Sequence, residues 1–181
     1  MAGTKTDNHY TADKVALRAG NIPDKKEIRV LDCFGGRGVI WRAVARKTGK
    51  NIIRTAIDMR SDIDYVHLHG DNTKVIKSID LKQFDVIDLD AYGVPADIIK
   101  TVQGSDFSGV VFVTMIQTMF GQIPRIIQKD LKMPDSVKKI PSLVAKDGWN
   151  IFLNWLGYVG VKKIKIREKN RKRYFCYTKE A

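Results

Sequence analysis

Apolar residues along this chain follow two alternating rhythms. Residues 28–34, 52–57, 84–89 and 109–115 form short, nearly continuous apolar runs, as expected of strands buried on both faces. Between them, apolar positions recur at helical spacing over 11–19, 39–47, 72–79, 95–102 and 142–156. Thr11 is the expected N-cap of the first helix and Gly20 its terminator, and Gly49 ends the second. A shorter strand is expected at 65–68. A terminal hairpin is expected from 161–167 and 174–178, turned at 169–173. Strands alternating with helices predict an α/β fold: a doubly wound, mostly parallel sheet covered on both faces, with the C-terminal hairpin antiparallel. Residues 116–147 fit no element until the helix at 142. With Pro124, Pro134 and Pro141, they form an expected insertion or lid.

The 181 residues predict one domain, 1–181, with residues 1–27 as an N-terminal arm and helix. No apolar run approaches the roughly 18 residues of a membrane span, and residues 1–10 lack the apolar centre of a signal peptide. Two cysteines, Cys33 and Cys176, both in apolar runs, suggest neither a disulfide framework nor a zinc spacing. A cytoplasmic location is therefore expected. Net charge changes the picture more. The chain carries +12 overall, and its last 22 residues hold nine Lys or Arg against two acids. A local excess of that size points to a polyanion such as nucleic acid, although basic runs also serve as plain solvated faces.

The first strand runs into Asp32-Cys33-Phe34-Gly35-Gly36-Arg37-Gly38 and then a helix. Glycines there allow a sharp turn and close approach of backbone to ligand. A dinucleotide fingerprint would place a small residue at position 41, where Trp41 stands, and this disfavours a nicotinamide oxidoreductase. The segment resembles the D-x-F-x-G-x-G first motif of class I S-adenosylmethionine-dependent methyltransferases. That resemblance implies S-adenosylmethionine as cofactor. Asp32, Phe34, Gly36 and Gly38 would lie around its methionine part, with the Asp32 carboxylate toward the ammonium group. Asp58 ends the second strand, where an acid can take both ribose hydroxyls, with Met59 beside it. Asp71 and Asn72 follow the third strand, where the family receives the adenine. Asp71 also reads as a simple helix cap.

FDVIDLDAYGVP, residues 84–95, closes the fourth strand. It resembles the D-x-D-P-F-G-x-P segment of the tRNA guanosine-N2 dimethyltransferase family. Asp88, Asp90, Gly93 and Pro95 match, Tyr92 replaces phenylalanine, and Ala91 departs from the proline. The two motif regions and the strand ends between them span roughly a third of the chain, which has no room for that family's large C-terminal domain. The resemblance therefore carries the chemistry of the site rather than its substrate. An exocyclic amino group is a poor nucleophile because its lone pair is delocalised into the base. A carboxylate accepting its N–H bonds localises that pair, and an aromatic ring holds the base in line. Asp90 and Tyr92 are the expected catalytic pair. Asp85 is a strand entry without a role. Asp88 is either a satisfied inward carboxylate or a neighbour of the cofactor. A turn with Asp90 capping the next helix is the plainer alternative.

Other features are weaker. His67 and His69 share a strand face, but no third metal ligand is evident, so no metal is expected. Trp149, Phe152, Trp155 and Leu156 have core spacing. Asn8, His9 and Tyr10 can close over the site, as the leading segment does in the resembled family, or form a loose tail. The methyltransferase resemblance also implies the strand order 3-2-1-4-5-7-6. That order brings Lys169, Asn170, Arg171, Lys172 and Arg173 to the active edge as phosphate contacts. Arg125, Lys129, Lys132, Lys138 and Lys139 form a second basic candidate. The expected function is methyl transfer to an exocyclic amino nitrogen of a nucleic-acid base, with RNA favoured over DNA by the resemblance. A DNA adenine-N6 or cytosine-N4 methyltransferase is the nearest alternative. A non-catalytic cofactor- or nucleic-acid-binding module is another. Specificity would come from the insertion, the N-terminal arm, a homodimer partner or an accessory protein.

Overall fold

In the computed structural model, the described residues are 10–60, 62, 64–116, 123–139, 141–170 and 172–180. The elements run α1 (Thr11–Ala19), β1 (Glu27–Cys33), α2 (Val39–Thr48), β2 (Asn51–Asp58), β3 (Leu68–His69), α3 (Asn72–Ser78), β4 (Val86–Leu89), α4 (Ala96–Gln103), β5 (Gly109–Ile116), α5 (Arg125–Asp130), α6 (Pro141–Tyr158), β6 (Lys165–Lys169) and β7 (Lys172–Lys179). Short 3₁₀ turns at Leu81–Gln83 and Asp135–Lys139 complete them. All seven strands belong to one sheet of order β3-β2-β1-β4-β5-β7-β6. The pairings from β3 to β5 are parallel, and β7 runs antiparallel to both β5 and β6.

The apolar runs bury both faces of the sheet. On one face Leu31, Ile87, Leu89, Val111 and Phe175 meet side chains of α3, α4, α5 and α6, including Ile76, Ile99, Ile127 and Trp155. On the other, Ile28, Val30, Val86 and Phe112 meet Val15 and Leu17 of α1 and Trp41 and Val44 of α2. Trp149, Phe152 and Phe175 pack ring to ring at about 6 Å, so the aromatic spacing of α6 belongs to the core.

The chain departs from the sequence reading in several places, among them the hairpin, whose strands run Lys165–Lys169 and Lys172–Lys179 rather than 161–167 and 174–178, with Lys169 paired to Lys172 instead of lying in the turn. Tyr10, not Thr11, occupies the α1 N-cap; its φ is +61° and its own side chain makes no capping hydrogen bond. The third strand lies at 68–69 rather than 65–68, because His67 pairs with β2 differently. Its N–H donates to the Ala56 carbonyl, while its Nδ1 accepts the Ala56 N–H, both at 3.1 Å. The fourth strand begins at Val86, since Asp85 turns to bind the Arg29 N–H at 2.9 Å and Lys25 Nζ at 2.5 Å. Finally, the described part of 116–147 is docked onto the core. Asp130 of α5 accepts from Lys100 Nζ at 2.6 Å and from the Trp155 indole at 2.9 Å, above buried Ile127.

Candidate active site

The carboxyl edge of the sheet gathers the predicted residues around the loop after β1. Gly36 (φ +42°) and Gly38 (φ +65°) take left-handed conformations that other residues adopt only with strain, and Phe34 is held at φ +134°. The loop closes over an unforeseen residue, Arg54 of β2. Arg54 Nη2 donates to the carbonyls of Gly35 (2.5 Å) and Gly36 (3.2 Å), Nη1 to the Tyr65 carbonyl (3.1 Å), and Nε to Asp32 Oδ2 (2.7 Å). A Cβ on Gly35 would collide with this guanidinium and come within 2.8 Å of the Ala56 methyl. Gly35 is therefore required by the arginine packed beneath it.

That geometry changes the role of Asp32. Its carboxylate lies 4% exposed under the loop and is committed to Arg54 rather than presented to a ligand. Burial, followed by the neighbouring Asp88 charge, pushes its pKa up to about 7 against the pull of Arg54. Asp58, at the end of β2, faces the loop directly. It accepts the Gly36 N–H at 3.1 Å and the Arg60 N–H at 3.0 Å. Met59 next to it is 74% exposed. Asp71 caps α3 through the Thr73 N–H at 2.8 Å. Asn72 is 5% exposed, and its Oδ1 is buried without a hydrogen-bond donor. A buried acceptor left in that state costs about 1–3 kcal/mol, which a donor from a ligand would recover.

Asp88 within β4 and Asp90 just beyond its end separate sharply. Asp88 is 1% exposed, and both its oxygens are occupied. Arg18 binds them through Nη2 (2.6 Å) and Nε (2.7 Å), and the Trp41 indole adds a bond at 2.8 Å. Asp88 is thus a satisfied inward carboxylate, which removes it from the expected cofactor contacts. Trp41, set against a dinucleotide fingerprint in the sequence, serves this acid and packs edge-on against Phe112 at 6.1 Å. Burial raises the Asp88 pKa despite the Arg18 charge, whereas Arg18 is driven up by its acids against burial.

Asp90 lies one strand repeat further toward the edge, with its side chain 17% exposed. Its Oδ1 accepts from Lys14 Nζ at 2.7 Å and Thr114 Oγ1 at 2.5 Å, and its Oδ2 accepts from Lys14 at 2.9 Å. Burial opposes ionisation, but the Arg18 and Lys14 charges outweigh it and hold the carboxyl below its usual pKa. Ala91 is buried behind it, and Tyr92 projects 63% exposed. Asp32, Asp88 and Asp90 thus share the sheet face beneath α1 and α2, countered by Arg54, Arg18 and Lys14. Among the described residues no group of three His, Cys, Asp or Glu could hold a metal ion. His69 Nδ1 instead lies 3.0 Å from the Arg60 carbonyl.

The hairpin tip reaches this edge as well. Asn170 donates to the Tyr10 hydroxyl at 3.0 Å, and Lys172 Nζ lies 5.7 Å from the Tyr10 ring centre. Lys169 is exposed. Arg173 is tied down, bonded to Glu168 at 3.0 Å and stacked over Trp149 at 4.7 Å, which leaves it poorly placed for a phosphate. Arg125, Lys129 and Lys132 are exposed on α5 and the turn after it. Arg171, Asn8 and His9, and the side chains of Lys138 and Lys139, lie outside the described residues.

Sequence reasoning missed Lys14, Arg18 and Arg54. A signal existed for the first two. Lys14 and Arg18 share a helix face with Thr11 and Val15, while Asp88 and Asp90 share a strand face. Neither fact alone pairs the helix with the strand.

No family model and no curated protein matches this chain. Solved structures do match in fold. A SAM-dependent methyltransferase from Archaeoglobus fulgidus is 14% identical, with a TM-score of 0.53 and 93% of each chain covered. A protein provisionally assigned as an rRNA-methylase from Clostridium thermocellum is 15% identical at a TM-score of 0.54, covering 96% of this chain and 98% of that one. Phosphoethanolamine N-methyltransferase 2 from Haemonchus contortus, solved with phosphomonomethylethanolamine and S-adenosylhomocysteine, is 11% identical at a TM-score of 0.59. The match covers 94% of this chain but 53% of that one. The chain has the Rossmann-like class I methyltransferase fold. At these identities the likeness extends to the fold alone.

Proposed function

We propose that this protein is an S-adenosylmethionine-dependent methyltransferase acting on an exocyclic amino nitrogen of a nucleic-acid base. The observation that carries the reading is Asp90, kept ionised at the carboxyl end of β4, two residues before an exposed tyrosine and across the edge from the glycine loop. The remaining residues fit the cofactor. Gly36 and Gly38 shape the loop, Asp58 suits the ribose hydroxyls, and Asn72 Oδ1 is a buried acceptor suited to the adenine amino group. Asp71 and Met59 lie beside these groups. Asp32 acts one step removed, by holding Arg54 against the loop.

Bound S-adenosylmethionine supplies an electrophilic methyl group. Asp90 Oδ2 carries one contact, from Lys14, and retains acceptor capacity for an amino N–H. Accepting that N–H turns the nitrogen lone pair away from the ring and toward the methyl group. Tyr92 stacks on the extruded base and fixes the line of attack. The proton released after transfer passes to Asp90 or to water. The motif resemblance at 84–95 favours RNA as substrate, and the basic hairpin tip suits the phosphates of either nucleic acid.

One observation favours a second reading. Lys14 already clamps Asp90, and Ala91 stands where the resembled family has proline, as in a module that binds without catalysing. Transfer of labelled methyl groups from S-adenosylmethionine to total RNA, DNA and protein separates these readings. We expect label in RNA, lost with Asp90→Ala. Label in DNA alone would favour the DNA alternative. No label anywhere, despite cofactor binding, would favour the binding module, and full activity in Asp90→Ala would refute the catalytic assignment.

A further inference from the structure

We propose that the outer edge of the sheet is a second nucleic-acid surface, a phosphate track for the single-stranded RNA that flanks the target base. It rests on the nucleic-acid reading above and adds a path leading away from the catalytic edge. β6 is the last strand in the sheet, and all five of its residues are exposed. Lys165, Arg167 and Lys169 alternate with Ile166 and Glu168, so the three cations share one face. That face lies toward α1: Lys165 Nζ donates to Asn21 Oδ1 at 2.8 Å, and Arg167 is ion-paired with Asp13 at 3.6 Å, a surface pair that a phosphate would compete for. The strand's one acid, Glu168, takes the opposite face and binds Arg173. Two residues of strand advance about 6.6–6.8 Å, close to the spacing of successive phosphates along an extended nucleic-acid strand.

Edge strands also carry lysines simply to deter pairing with another sheet. That role requires neither one sign of charge on one face nor cations beyond the strand, and here the row continues. Lys162 and Lys163 precede β6, are exposed, and make no ion pair among the described residues.

At its far end the row opens into a cleft of about 1270 Å³ between the end of α1, the end of β7 and residues 159–165. Four lysines line it, Lys162, Lys163, Lys165 and Lys179, against one carboxylate, Glu180. Lys179 Nζ is held by the Ser105 and Phe107 carbonyls at 2.9 Å each, within the field of Asp106, whereas Lys165 is bonded to a neutral amide that leaves its charge in place. Tyr177, 4% exposed, and Gln103 form the floor of the cleft, their side chains turned toward each other. The lysine ammonium groups at its mouth form a site for an oxyanion, and a phosphodiester is the one the catalytic edge would deliver. Recognition here is by backbone charge and not by base.

The test uses fluorescence anisotropy with single-stranded RNA of about 4 and about 16 nucleotides, titrated across salt concentrations. The proteins are the wild type and a Lys162→Gln/Lys163→Gln/Lys165→Gln variant. For the longer RNA we expect the triple variant to bind at least about tenfold more weakly, with a slope of log K against log salt shallower by about 2. The short RNA and the kcat of methyl transfer should be unchanged, while KM for long RNA rises. Wild-type binding to long RNA that the triple variant matches in affinity and slope would overturn the track alone. Wild-type protein that binds neither RNA would overturn the nucleic-acid reading and the track with it.

Discussion

Lys14 and Arg18 carry charge into the protein interior, where a charge left without a partner is costly. Arg18 and Asp88 are each 1% exposed, so removing one strands the other. Arg18→Met should lower stability by about 3–5 kcal/mol, and adding Asp88→Leu should restore most of the loss, as measured by urea unfolding in a double-mutant cycle. Lys14→Met acts on chemistry as well as on stability. Without that cation the Asp90 pKa rises, so the acid limb of the pH–rate profile of methyl transfer should move to higher pH. Asp32 gives a pH effect of opposite sense to that of an ordinary paired acid. Its pKa rises from 3.8 when unfolded to about 7 when folded. Between those values the folded state binds more protons than the unfolded state, so this group makes stability fall as pH increases through the window. Asp32→Asn should flatten that slope, as read from urea midpoints at a series of pH values. These residues also mark a limit of the sequence. Asp90 and Tyr92 could be put forward from sequence because a motif surrounds them. Lys14 and Arg18 looked like ordinary helix charges, because their burial depends on acids some 70 positions away.

At the scale of elements, the glycine loop was readable from spacing alone, whereas the arginine beneath it was not. Arg54 lies in β2 among residues of mixed exposure, and nothing in its neighbourhood announces that it reaches across to four groups. The loop and the arginine therefore form one device. Arg54→Met should weaken S-adenosylmethionine binding at least about tenfold by calorimetry, since one unsatisfied buried contact set is worth about 1–3 kcal/mol, with the far-ultraviolet circular dichroism preserved. Gly35→Ala should do the same by steric displacement of that guanidinium. The β3 shift has a similarly local cause, a histidine ring standing in for a backbone acceptor. The residues after β5 gave no clear period because they hold only a short helix and a 3₁₀ turn, too brief for the apolar spacing of Ile123, Ile127 and Leu131 to stand out, and Asp130 fastens them further.

Across the whole molecule, the strand order matched the expectation in full, an expectation taken from the methyltransferase resemblance, since alternating strands and helices alone allow more than one parallel order. The position of the hairpin follows from that order, but the use of its charges does not. Arg173 spends its charge on Glu168 and Trp149, so Lys169 and Lys172 are left as the described candidates for phosphate contact. Lys169→Gln with Lys172→Gln should weaken RNA binding and reduce its salt slope by about 1.4, or about 0.7 per lost phosphate contact. The pairing of α1 with β4 has a further consequence, in time rather than in space. Synthesis proceeds at about 5–20 residues per second, so α1 leaves the ribosome several seconds before its partner strand exists. During that interval Lys14 and Arg18 keep the inward face of the helix compatible with water and unsuited to premature collapse. The charges that lock α1 down in the finished protein are thus the ones that keep it soluble while it waits.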